Sequence, residues 1–148
     1  MDKSIESQLI FRGYKVLHIS YKLNQNFKPQ KNRSIPLEFK VRFEPTVDDT
    51  NKEINVDLFC NIFEEGPEAD NPFHLEVNLR GWFKANSSVE EDELHRYAEI
   101  NAPAILFPFL RTVVSSITMA ANVPPVILPL VNINRLNERQ KPKETITD

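Results

Sequence analysis

The side chains able to do chemistry are few, and their spacing argues against most of it. His18, His74 and His95 are scattered and lack metal-ligand spacing. His18 and His74 fall on the polar sides of two alternating segments, where they can be neighbours in a solvated pair rather than a catalytic or metal site. Cys60, the single cysteine, excludes an intrachain disulfide and a multi-cysteine zinc site; it alternates with core positions and reads as a small buried hydrophobe. Ser115 and Ser116 sit in an apolar stretch with no Ser-His-Asp order around them, and are read as allowing close helix packing. Gly13, Gly66 and Gly81 are the only glycines, and none begins a phosphate-cradling loop. No convergent set of acids and bases suggests a catalytic pocket, so neither an enzyme, a metal nor a cofactor is expected.

The elements that would position any site are set by the charge pattern. Across the chain 26% of residues are charged, yet residues 100–134 hold one charge, Arg111. Water does not tolerate such a stretch uncovered. What the core cannot bury needs another subunit, a bilayer or an apolar ligand. The best membrane window, 112–131, contains Pro124, Pro125 and Pro129, whose freed backbone groups hydrocarbon cannot satisfy, so insertion is not expected. The net charge of −3 and pI near 5.7 give no basic field for nucleic acid. At 148 residues the chain fits one domain, 1–148, with a core over about 14–136 and frayed ends. Its first sixteen residues lack the apolar run of a signal peptide, which points to the cytoplasm.

Four segments alternate with period two and predict half-buried antiparallel strands: residues 14–23, 37–44, 53–63 and 73–79. In the first, Leu17, Ile19, Tyr21 and Leu23 share a side; in the last, Phe73, Leu75, Val77 and Leu79 do. Gly81 marks a bulge or strand end. The connections 45–51 and 64–72 are too short for crossover helices, so the last three strands form a meander. The loop 24–34 lets the first strand pair elsewhere. Ser88-Val-Glu-Glu91 is a capping-box pattern, and the acids at 90–93 suit a helix start, or alternatively a docking patch for a basic partner. Asn101 can cap a second helix with Pro103 in its first turn, and Pro108 kinks or restarts it. Leu106, Leu110, Val113 and Ile117 recur at helical spacing while Phe107, Phe109 and Val114 occupy other faces. Such a helix is expected to be buried on two sides, one by the sheet and one by a subunit. Asn122 ends it in the left-handed conformation, and Pro124-Pro125 forbid continuation. Residues 134–139 could give a brief terminal helix. The apolar connection carrying Val126, Ile127, Leu128 and Leu130 either folds onto the chain's own sheet or walls a groove for exposed apolar polypeptide.

The motif Asn101-Ala-Pro-Ala-Ile-Leu-Phe-Pro-Phe-Leu-Arg111, with Val-Ser-Ser-Ile at 114–117 and Val-Pro-Pro-Val-Ile-Leu-Pro-Leu-Val-Asn-Ile at 123–133, closely resembles the SecB-type export chaperones. The motif covers about a quarter of the chain, and strand order extends the likeness from Tyr14 to Leu136. The resemblance implies an α+β fold, a four-stranded antiparallel sheet with C-terminal helices packed on one side, assembled as a homotetramer (a dimer of dimers). It implies an ATP-independent holdase for unfolded preproteins or another non-native client. Phe73, Leu75 and Val77 match the family's fourth-strand groove residues, with Leu79 continuing that face; Val126, Ile127, Leu128 and Leu130 match its connecting loop. Leu106, Phe107, Leu110, Val113, Val114 and Ile117 would lie on the helix that packs between subunits. Glu76 matches one of the acidic residues that dock the SecA motor. His18 and Lys22 stand where acidic ones are expected, His74 stands at an apolar contact position, and the C-terminal helix and tail are shortened. These departures count against motor docking. Related SecB-like proteins guard aggregation-prone antitoxins, the alternative partner role.

Overall fold

In the computed structural model, which describes residues 8–66, 68–133 and 135–136, four strands form one antiparallel sheet crossed by a long helix. The strands are β1 (Leu9–Leu23), β2 (Phe39–Asp48), β3 (Glu53–Ile62) and β4 (Phe73–Ala85), side by side in the order β1-β4-β3-β2. The meander is present, and the loop after β1 carries the chain past it, so that β1 pairs with β4.

Several boundaries differ from the sequence reading. β1 begins at Leu9 rather than residue 14, because two register shifts, one at Gly13 (φ 112°), bend an otherwise continuous strand. The second shift changes the alternation: Val16, not Leu17, stands opposite Leu79, while Ile19, Tyr21 and Leu23 oppose Val77, Leu75 and Phe73. β2 runs through Pro45, which an edge strand can accommodate, and turns at Asp48, whose carboxylate accepts from the backbone N–H groups of Thr50 and Asn51.

The inner face of the sheet carries the core: Val41 and Phe43 on β2; Ile54, Val56, Leu58, Cys60 and Ile62 on β3; Phe73, Leu75, Val77, Leu79 and Phe83 on β4. Gly81 is neither a bulge nor an end. It pairs regularly with Tyr14 and Val56, and a Cβ there would lie 3.0 Å from Leu106 Cδ1, so its bare backbone is the seat of the helix.

The helix is one unit, not two. α1 (Glu91–Arg96) passes through a π-helical turn (Tyr97–Asn101) into α2 (Ala102–Ala120). Neither expected cap forms. Ser88 lies outside the helix, where its N–H donates to Asn86 Oδ1 at 3.1 Å, and Asn101 is itself helical. The wider turn just before Pro103 is where the ladder can spare the N–H that proline lacks. The stop after α2 is as expected: Asn122 has φ 62°, its N–H donates to Met119 O at 3.1 Å and that of Val123 to Thr118 O at 3.2 Å, both bonds of a Schellman motif. The helix from Glu91 to Ala120 is long and apolar enough to cross a membrane by length and composition, but its apolar side is laid on the sheet. Of the expected terminal helix, Arg135 and Leu136 are helical. Its remainder, and the N-terminal and C-terminal tails expected to fray, lie outside the described residues.

Candidate functional site

After the helix stops, residues 123–132 run as a non-helical strap with no sheet partner, and side chains of the helix hold it. Ser115 Oγ donates to Val126 O (2.9 Å), Thr118 Oγ1 accepts from the Val126 N–H (2.9 Å), and Arg111 Nε donates to Leu128 O (2.7 Å). Thr118 Oγ1 donates in turn to Val114 O, so this buried hydroxyl is satisfied on both sides. Arg111, Ser115 and Thr118 follow one another at helical spacing of four and three, a polar stripe visible in the sequence whose use was not read there. The lone charge of the apolar stretch fastens the strap.

That fixed backbone sorts its side chains. Leu128 is fully buried and Val126 half-buried, whereas Ile127 is 71% and Leu130 81% exposed. The strap thus folds onto its own core at Leu128 and presents Ile127 and Leu130 to water.

The β4 residues expected to line a groove are core residues within the single chain. Phe73, Leu75, Val77 and Leu79 are all buried, because β4 is an inner strand and its apolar face lies beneath the chain's own cover. Leu75 and Leu79 form the floor of the core with Leu128, while Phe73 and Val77, also largely buried, reach the walls of surface cavities. The helix residues expected at a subunit contact divide in their burial within the single chain. Leu106, Phe107, Leu110 and Val114 turn onto the sheet, and only Val113 and Ile117 remain half-buried. Phe109 packs on Phe11 and Tyr14 of β1, with ring centroids 5.3 and 4.8 Å away. The outward side of α2 bears Ala104, Pro108, Thr112, Ser116 and Met119, the last 64% exposed.

The unspent apolar surface lies instead on β1. Ile10, Val16, Leu17, Ile19 and Leu23 are 40–57% exposed on an edge strand. Val16, Ile19 and Leu23 stand on the inner face, beyond the reach of the helix.

On the outer face, Arg80 forms a bidentate pair with Asp57 (2.6 and 2.9 Å), and the Arg42 guanidinium lies 4.1 Å above the Phe59 ring. The two histidines read as possible neighbours do converge, on Glu76. His74 Nε2 is 3.1 Å from Glu76 Oε1, and His18 Nε2 is 3.6 Å from Glu76 Oε2. Burial works against a charged His74, but its bonds to Phe63 O and Glu76, with the charges of Glu76 and Glu65, outweigh this and raise it above the usual histidine value. The bond from His74, aided by that from His18, overcomes desolvation and lowers the Glu76 carboxyl below its ordinary range. Cys60, as expected, is a buried thiol, pushed up to about 12 by desolvation.

A one-sided antiparallel sheet, a long crossing helix and a Pro-stiffened apolar strap together define an α+β domain class. A solved SecB-like chaperone of Mycobacterium tuberculosis, in complex with a ChAD peptide from the HigA1 antitoxin, shares the fold with TM-score 0.63 at 21% identity, over 84% of this chain and 91% of that one. The family model for preprotein translocase subunit SecB matches residues 18–144. An uncharacterized protein of Methanocaldococcus jannaschii is 36% identical over 137 residues, 90% of this chain and 84% of that protein. The protein-export protein SecB of Ruegeria pomeroyi is 29% identical over 136 residues, 91% of this chain and 73% of its own length. The match to SecB of Anaplasma phagocytophilum is local: 34% over 70 residues, 46% of this chain and 44% of that protein. The chain belongs to the SecB family, which is a family of protein-export chaperones and not of enzymes.

Proposed function

We propose that this protein is an ATP-independent holdase of the cytoplasm that binds unfolded preproteins or another non-native client on the apolar surface of its strap and β1. The observation that carries the reading is the strap itself. Ile127 and Leu130 face water on a backbone already fixed by Arg111, Ser115 and Thr118, so a client meets a surface that needs no ordering of its own. Burying about 400 Å² of apolar client surface yields roughly 10 kcal/mol gross at about 25 cal/mol per Å². Ordering some eight client residues at about 1–2 kcal/mol each consumes most of that. One copy thus binds weakly and releases quickly, with no nucleotide required. Several copies acting on one client restore affinity through effective concentration, which is the use of the homotetramer we assign to it. The exposed edge of β1, with its half-exposed apolar residues, supports pairing between copies.

A second reading, in which the chaperone serves one dedicated partner such as an antitoxin, has a specific observation in its favour. Glu76, the expected SecA-docking acid, is engaged by His74 and His18, which dilutes the negative field a basic motor segment would seek. The test is light scattering of several unrelated denatured clients, each diluted into the purified protein without nucleotide. Suppression of aggregation across the panel is the expected result. Suppression of none overturns the holdase reading, and one tight partner with indifference to the rest selects the dedicated role.

A further inference from the structure

The histidine–carboxylate cluster at the end of β4 has a geometry that an ion pair does not use up. His74 Nδ1 lies 2.8 Å from Phe63 O, and a carbonyl can only accept, so Nδ1 carries a proton and donates it. Phe63 is held for this task with φ 58°, an uncommon conformation for an aromatic residue, while its own N–H donates to Glu38 O at 2.9 Å. The other nitrogen, Nε2, is therefore aimed away from the sheet at the carboxylates. A ring nitrogen fixed by a second-nitrogen bond to a backbone carbonyl is the usual arrangement of a metal-ligating histidine. Glu65, His74 and Glu76 each offer one ligand atom, all within 4.8 Å of one another. Neighbouring ligands around a tetrahedral zinc ion lie about 3.3 Å apart, given metal–ligand distances near 2.0–2.1 Å. The His74 Nε2 to Glu76 Oε1 separation is 3.1 Å. His18 Nε2, 3.6 Å from the second oxygen of Glu76, supports that carboxylate from β1.

We propose that Glu65, His74 and Glu76 form a binding site for one zinc ion per chain, with His18 positioning the Glu76 carboxylate from β1. The donor set of imidazole and carboxylate suits a borderline cation such as zinc better than calcium or magnesium, which take oxygen alone. A proton on Nε2 would satisfy only one carboxylate, whereas a divalent ion serves both. Two cations oppose it: Lys22 pairs across from His74, and Lys40 lines the neighbouring cavity, both on exposed, flexible stems that can turn to water. The ion has a structural consequence. Glu65 belongs to the 63–72 connection, and Glu65 and His74 together line two adjoining cavities of about 520 and 330 Å³. The larger is walled by Leu37, Phe39 and Phe63, so zinc would fasten the connection to the sheet and fix the wall of an apolar pocket. A second trio, Asp49, Glu91 and His95, also has the ligand types, but all three are exposed and nothing orients the His95 ring from its other nitrogen among the described contacts.

The site stands on this geometry and does not depend on the holdase reading. The test is zinc chloride titrated into the chelator-treated protein against a chromophoric zinc indicator, with thermal unfolding followed in parallel. The expected result is one zinc per chain and a rise in Tm with zinc. H74Q and E65Q should each bind at least about tenfold more weakly, the scale seen when a supporting shell alone is lost. H95A should bind as the unaltered chain does. Circular dichroism of the zinc-free variants shows that they are folded, so lost binding is read as lost ligands. Absence of stoichiometric zinc binding, undiminished binding by folded H74Q, or loss of binding in H95A would overturn the assignment.

Discussion

Replacing Ile127 and Leu130 together by serine should remove client binding while leaving the fold in place. Both side chains project from the strap, 71% and 81% exposed, and neither supplies a described hydrogen bond that holds it; those belong to Val126 and Leu128. Surface changes of this kind usually shift stability by no more than about 0.5 kcal/mol. Full burial of an Ile or Leu side chain is worth about 1.5–3 kcal/mol. With most of each still in water, a client can gain about 1–2 kcal/mol from each, or about 2–4 kcal/mol for the pair. That corresponds to roughly 30- to 1000-fold in affinity per strap. The assay is fluorescence anisotropy of a labelled, permanently unfolded client, with circular dichroism and thermal unfolding as controls on the variant. A double variant that stays folded and binds as tightly as the original would refute the strap as a client surface. The same substitutions at Leu75 or Leu128 answer a different question, because those side chains are fully buried and their loss tests the core.

Three further outcomes follow from the packing. Thr118→Val keeps the shape of a buried side chain but orphans the Val126 N–H, so denaturant unfolding should show a loss of about 1–3 kcal/mol, with hydrogen exchange fastest in the strap. Gly81→Val drives atoms into Leu106 and Phe83 and should cost about 1–3 kcal/mol or more by urea denaturation, with Leu106→Ala in the same chain recovering part of it. Cys60 should resist a thiol reagent at pH 8 in the folded chain, since it is buried and its thiol is pushed up to about 12, and should react on unfolding. The sign of the linked pH effect is fixed by that shift: the folded thiol ionises later than the unfolded one at 9.0, so its contribution is complete below pH 9 and is lost as pH rises toward 12. Cys60→Ala should flatten that alkaline slope.

The strands were legible because alternation is a local signal: the apolar positions of β3 and β4 read off the sequence are buried on the inner face. The helix stop at Asn122 was legible for the same reason. What the sequence could not reveal was allocation. Whether Leu106 or Leu75 faces a neighbour or the chain's own core depends on which strand is central and where the helix lies, and neither has a periodicity. Gly81 shows this well: read locally it breaks a strand, whereas in the fold it admits Leu106. Asn101 is no cap because the π-helical turn joins segments that local rules treat as separate, and Ser88 is none because the helix starts later, at Glu91 with Glu90 before it. That His18 and His74 could be neighbours was legible from their strand faces, but their convergence on Glu76 comes from the β1–β4 register.

Hydrogen–deuterium exchange of the protein with and without an unfolded client probes the central claim most directly. Added client should slow exchange at the amides of Val126, Ile127, Leu128, Leu130 and Val131 and along β1 from Val16 to Leu23, with no nucleotide present. A client that binds yet leaves those amides unchanged, or slows exchange only on the outer faces of β2 and β3, would contradict it.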